Sequence, residues 1–328
     1  MTIGIDGHIG LKQETTYGTQ VTPDVFGEIK GEDFNFDNNL ETPIYIGNTN
    51  TLKRAIMGNL ITAGTVTLDL MPLGLMPWLL KGLFGSVSSS LVAAGVYDHT
   101  YGISNSLPSF TIQTDRNYGC FNWLGSEVVS MDIGITRDSV LLESSIAFTS
   151  QRPLTVAVET PTYPDCDPWT AFEVAVTLNG VEDLNFRNIN LTFARDTEPN
   201  FTLNQQRYPS GSTAKMFTAG LSFEIEPGDT DQWERALGAV DATSPQKTQT
   251  PQTLSVSIVS TNAITGAYYY TLTLDFYELY ISTANAPNSA PNDRILQTIE
   301  MIPIHNTVAG KMINCVLRNS DTSYPDPS

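Results

Sequence analysis

The chain is 328 residues long, 41% hydrophobic and only 16% charged, which excludes global disorder and leaves room for two domains of ordinary size. Its 35 acidic residues against 17 basic ones give a formal charge of −18, the wrong sign for a groove that holds a duplex by its phosphates. Cys120, Cys166 and Cys315 form an odd set without CxxC spacing and indicate neither a disulfide framework nor a zinc site.

The start, MTIGIDGHIGLKQE, lacks the basic region and apolar core of a signal peptide. Residues 1–24 read as an arm without a counterpart later in the chain. Ile3, Ile5, Ile9 and Leu11 suggest an extended, partly buried segment, and Gly4, Gly7 and Gly10 suggest close backbone packing rather than a phosphate loop. The stretch Glu32-Asp33-Phe34-Asn35-Phe36 is echoed by Glu182-Asp183-Leu184-Asn185-Phe186. Long connections follow at 37–59 and 195–215. The first carries Ile44, Tyr45, Ile46, Lys53 and Arg54, the second Phe201, Leu203, Arg207 and Tyr208. Connections longer than about 12–15 residues are uncommon unless they serve a site or a partner. Apolar residues at matching places in both favour docking on a neighbouring subunit over two meandering surface loops.

The strongest pattern spans residues 61–85, ITAGTVTLDLMPLGLMPWLLKGLFG, and returns at 217–239, FTAGLSFEIEPGDTDQWERALGA. Pro72 and Pro227 lie 155 apart, as do Trp78 and Trp233. At that offset Val66, Leu68 and Leu70 fall on Leu221, Phe223 and Ile225, and Asp69 falls on Glu224. Strand side chains alternate with period 2, so the two faces stay in phase. Each stretch predicts a strand, a proline turn and a short helix ending at glycine. Pro77 would stand at the first helical position and Asp229 would cap the second helix with Gln232. The first helix is apolar nearly all round, predicting burial on two sides, and both tryptophans are expected in the core. The run 68–84 contains Asp69, Lys81 and two prolines, so it is too short and broken to span a bilayer, and a soluble protein made inside the cell is expected.

Further strands are predicted at 109–114 and 253–258, at 128–136 with Val129, Met131, Ile133 and Ile135 inward and Asp132 outward, at 268–281, and at 140–149 and 295–304, again 155 apart. Pro153, Pro161, Pro164 and Pro168 mark residues 152–168 as a linker. The division is a first domain at 1–151, the linker, and a second domain at 169–328, with a frayed polar tail from 321. The fold class is mainly β.

No catalytic constellation emerges. His8, His99 and His305 lie in separate contexts without metal-ligand spacing. Asp165-Cys166-Asp167 lacks calcium-loop spacing, and no Gly-x-Ser-x-Gly elbow occurs. Carboxylate pairs of the glycosidase kind stay open in an acidic β-protein, although the repeat keeps only strand faces, turns and helix. The sequons at Asn190 and Asn200 carry little weight without secretion. No cofactor is expected.

The pattern GIDGHIGLKQETTYGTQVTP, a long loop, and then LKRAIMGN and AGTVTLDLMPLGLMPWLLKGLFG resembles the tail tube (major tail) proteins of long-tailed bacteriophages. YDHTYGISNSLPSFTIQTD and NWLGSEVVSMDIGI extend the resemblance over residues 1–150, and the second half follows through the repeat. The resemblance implies two tandem tube domains, each a β-sandwich or barrel with one flanking helix, whose inner sheets join into a barrel closed by six domains. Three chains would then form a homotrimeric, pseudo-six-fold ring. The long loops and the arm would join subunits and rings, DNA would pass through the lumen without specific binding, and the partners would be tail tip, tape measure and tail terminator proteins. Asp69, Asp132, Glu224, Glu226 and Asp275, on polar strand faces, become candidates for the lumen, although alternation marks a wet face without telling lumen from outside. An acidic lumen would repel phosphate and let DNA slide. The competing readings are another β-rich virion component or binding module, serving capsid decoration or receptor binding, and an acidic β-fold hydrolase.

Overall fold

A computed structural model describes residues 7–46, 51–182, 186–285 and 295–326. The first half of the chain runs β1 (His8–Gln13), β2 (Val25–Gly27), β3 (Gly31–Glu32), β4 (Asn35–Asp37), β5 (Leu40–Glu41), β6 (Ile56–Met57), β7 (Ile61–Asp69), α1 (Leu75–Phe84), β8 (Gly85–Ala93), β9 (Val96–Ile103), β10 (Phe110–Asp115), β11 (Cys120–Thr136), β12 (Glu143–Ser150) and β13 (Arg152–Val156). The second half runs β14 (Val174–Leu178), β15 (Val181–Glu182), β16 (Phe186–Ala194), β17 (Thr197–Asn200), β18 (Gly211–Ala214), β19 (Thr218–Ile225), α2 (Asp231–Leu237), β20 (Gln252–Thr265), β21 (Tyr268–Asn285), β22 (Gln297–Pro303) and β23 (Ile313–Asn319). The protein is mainly antiparallel β with two α-helices among the described residues.

The halves are built on one plan. In the first, β7 pairs with β12, β12 with β11, β11 with β10 and β10 with β1. In the second, β19, β22, β21, β20 and β14 pair in the same order. The long strands β11 and β21 turn the corner of a sandwich. The start of each pairs with β13 or β23, and its end with β12 or β22. The offset of 155 survives in three dimensions: Ile146 stands opposite Val66, and Met301 opposite Leu221. Alternation explains the sheets. Val66, Leu68, Ile146, Leu221, Phe223 and Met301 are buried, while Thr65, Thr67 and Ser222 between them face outward.

Two junctions fuse the halves. β11 pairs with β16 from Ser130↔Ala194 to Thr136↔Asn188, which makes one sheet of β7, β12, β11, β16, β19, β22 and β21. On the other layer β23 pairs with β9, so the β8–β9 hairpin of the first half extends the second half's sheet. Helix α1 is buried along nearly its whole length, as its apolar circumference predicts. Gly85 closes it in the left-handed region (φ 93°), donating to Lys81 O. Phe84 at its end packs 5.4 Å from Phe217 and 6.1 Å from Phe193, so the second side of the helix is covered by the other half. The core is continuous through both halves.

Several expectations need correction. The arm has a counterpart, because β1 lies beside β10 as β14 lies beside β20; HIGLKQ and VAVTL share a role without sharing residues. The EDFNF echo is not the structural equivalence. Glu32 pairs with Val66 and Leu191 pairs with Leu221, so Glu32 stands where Leu191 does; residues 183–185 of the echo lie outside the described residues. Helix α1 starts at Leu75, making Pro77 its third residue, and the residue capping α2 is Thr230, with the Asp229 carboxylate accepting the Asp231 N–H at 3.0 Å. A bulge between Val128 and Ser130 turns Val128 rather than Val129 into the core. Five residues of the proline-rich stretch form β13, with Pro153 tolerated on an edge strand.

Trp78 packs against Tyr324 with ring centroids 5.3 Å apart, but Trp233 is 48% exposed. The tail is not frayed as far as residue 326. Tyr324 is buried against Trp78 and His99, and the buried Lys81 ammonium donates to Gln13 Oε1 (2.7 Å) and Tyr324 O (3.0 Å) and pairs with Asp326 (2.8 Å).

Candidate functional site

The joined sheet presents one face to the core and the other outward. Across the outward face run Thr67, Ser145, Asp132 and Thr192 in one rung, and Asp69, Glu143, Gly134, Asn190, Ser222 and Glu300 in the next. Glu224 follows one rung on, and Glu226 just past the end of β19. The structure therefore brings Asp69, Asp132, Glu224 and Glu226 to one surface. Asp275 lies apart, on the stretch of β21 between β20 and β23, accepting from Ser255 Oγ (2.6 Å) and Asn314 Nδ2 (3.3 Å).

The face is small and polar, with its charges partly answered. Lys30 Nζ bridges Asp69 (2.6 Å) and Glu143 (2.8 Å), and these bonds hold its pKa above the ordinary lysine value. Arg187 pairs with Glu226 at 2.9 Å, and Asn188 donates to Glu224 at 2.6 Å. Such pairs at a wet surface fix side-chain positions more than they stabilise the fold.

Both long connections are β-hairpins. In the first, Leu40 pairs with Met57 and Glu41 with Ile56; in the second, β17 pairs with β18 from Thr197↔Ala214 to Asn200↔Gly211. Ile44, Tyr45, Ile46, Lys53, Arg54 and Leu203 are exposed, and Phe201 lies at the margin of exposure. Arg207 and Tyr208 are engaged inside the chain. Arg207 reaches the base of the first hairpin, donating to Gly58 O (2.9 Å) and Asn38 Oδ1 (2.9 Å), and its own carbonyl accepts the Leu60 N–H at 2.7 Å. The Arg152 guanidinium stacks over the Tyr208 ring at 4.4 Å.

The residues that sequence reasoning missed lie on the strand edges. The β11–β16 junction has two unmatched equivalents among the described residues: β3 and β4 pair only with β7, and residues 281–285 of β21 pair only with β22. No motif marks these edges, because a backbone ladder accepts almost any side chain.

Chemistry is sparse. Among the described residues no group of His, Cys, Asp and Glu could hold a metal ion, and no helix is long and apolar enough to cross a membrane. His99 is buried between Ser89 and Asn319, and burial holds its pKa below the ordinary value.

The sequence model of a family described as phage tail tube protein matches residues 4–302, most of the chain. No curated protein matches the sequence significantly.

Proposed function

The chain belongs to the phage tail tube protein family, a structural component of the virion tail that assembles with itself and with other tail components, and from that premise we propose that three copies close a ring through the strand edges described above. The observation that carries this reading is the junction inside the chain. Ser145 pairs with Asp132 as Glu300 pairs with Thr283, and 145 and 300 are again 155 apart, so Thr283 stands where Asp132 does. Asp132 in turn pairs with Thr192, which stands where Asp33 does. Repeating that register between copies sets Thr283 opposite Asp33, and Ala284 opposite Glu32, of the next copy. Three chains supply six halves, and the joined sheet closes into a barrel without a free edge.

In this arrangement the face bearing Asp69, Asp132, Glu224 and Glu226 lines the lumen. Its serines, threonines and asparagines are short, and the carboxylates give a surface that phosphates do not adhere to. The exposed hairpin residues, Ile44, Tyr45, Ile46, Lys53, Arg54, Phe201 and Leu203, join ring to ring. Synthesis is in the host cytoplasm, and the ends of the tube meet tail tip and terminator proteins around a tape measure.

The test is Ala284→Pro. Arg137 N–H donates to Arg187 O (3.1 Å), so by period 2 the backbone of Ile133 also faces β16, and its equivalent Ala284 faces outward. Proline there removes a donor needed only between copies. The expected result is a folded protein, by circular dichroism, that sediments as a monomer and shows no rings in negative stain. Rings formed as readily as by Ala284→Ser would sink the edge assignment.

A further inference from the structure

Beside the β4 edge lies a cavity of about 480 Å³ lined by Phe34, Phe36, Arg116, Tyr118, Phe121 and Trp123. Phe34 stacks on Trp123 at 5.2 Å to form its floor. Arg116 is fixed by two bonds to the Glu32 carboxylate (2.6 and 2.7 Å) and one to Phe34 O (2.6 Å). The rim is aromatic and wet: Phe36 is 53% and Tyr118 69% exposed. Leaving two large aromatic side chains in water forfeits the stabilisation that their burial would bring.

The second half shows what belongs there. Phe193 stands where Phe34 does and stacks on Phe276 at 6.5 Å. There the pair is sealed by the first half: Phe84, at the end of α1, lies 6.1 Å from Phe193, and Tyr101, on the strand paired with β23, lies 6.3 Å from Phe84. All four rings are buried. Thus, inside the chain, the half that offers β11 to its neighbour also plugs the neighbour's aromatic pair with the end of its helix. Around the proposed ring, the half that offers β21 carries α2, which closes at Gly238, and at the offset of 155 Ala239 and Val240 stand where Phe84 and Gly85 do. The turn after it presents Ala239 and a Val240 that is 38% exposed.

We propose that the Phe36–Tyr118 cavity receives the 237–242 corner of a second copy, with Val240 entering between the two exposed rings. This rests on the ring reading and adds to it a side-chain lock beside the backbone ladder. The plug is smaller than Phe84, and no β8–β9 hairpin follows α2, so the contact between copies buries less than the junction inside the chain. That asymmetry suits subunits that fold first and assemble afterwards.

The experiment uses the full chain carrying Cys166→Ser, so that the remaining native thiols, Cys120 and Cys315, are buried. Tyr118→Cys and Val240→Cys are added, singly and together, and assembled rings are treated with a short bismaleimide. The double variant is expected to give covalent dimers and trimers on denaturing gels. A mixture of the two single variants should stop at dimers, and each single variant alone should stay monomeric. Rings that carry no covalent species, or an adduct confined within one chain, overturn the docking and leave the ring standing. A Cys166→Ser parent, with Tyr118 and Val240 intact, that forms no rings overturns both.

Discussion

Glu127 should make the stability of this protein depend on pH with a sign opposite to that of most carboxylates. Its side chain is buried at the corner of β11, where the Ser212 hydroxyl of β18 in the second hairpin donates to it. Burial, and then repulsion from Glu14, raise its pKa from 4.5 to about 7 against the opposing effect of the Ser212 bond. Glu14 is itself buried but accepts from Gly18 N–H, Ser109 Oγ, Thr111 Oγ1 and Gly125 N–H within 2.9 Å, and the Tyr17 phenol beside both is pushed up chiefly by its own burial. A carboxyl that binds its proton more tightly when folded favours the native state at low pH and loses that advantage as pH rises between the two pKa values. At 1.36 kcal/mol per pH unit, the window from 4.5 to 7 corresponds to about 3 kcal/mol. Glu127→Gln keeps the shape and the Ser212 bond while removing the ionisation. Chemical denaturation of the wild type and the variant at intervals from pH 4.5 to 8.5 measures the difference. The variant's relative stability should climb by roughly that amount up to about pH 7 and then level. A difference that stays flat across the range would refute the assignment of a buried, proton-binding Glu127.

Removing residues 40–57 and closing the gap with a short turn should leave the fold and the rings intact, because among the described residues β5 and β6 pair only with each other; electron microscopy should show single rings and no tubes, and long tubes would remove the hairpin from the stacking contact. Tyr324→Ala should cost about 3–5 kcal/mol, as for a buried aromatic, because the ring seals Trp78 and His99. Tyr324→Phe should cost less, about 2 kcal/mol at about 1 kcal/mol per hydrogen bond, for the loss of its bonds to Asp321 and Asn319. Equal losses in thermal melts of the two variants would show that the hydroxyl, rather than the ring, holds the tail.

What could be read in the sequence is what repeats locally. The alternation of Val66 and Leu68, the same alternation in Leu221 and Phe223, and the glycine that ends each helix are legible because strand period and helix capping act within a few residues. The apolar circumference of α1 even implied a second covering surface, which turned out to be Phe193 and Phe217 of the other half. Which strand edges meet was not legible, since ladder bonds between β11 and β16 come from the backbone and leave no trace in residue identity. Trp233 shows the same limit from the side chains. It aligns with Trp78, yet Trp78 is covered by Tyr324 whereas Trp233 is 48% exposed. A duplicated sequence repeats its own residues but not its neighbours. The two halves therefore differ in what covers them, and Phe36 and Tyr118, exposed beside a free strand edge, are the residues on which the proposed contact between copies can be tested.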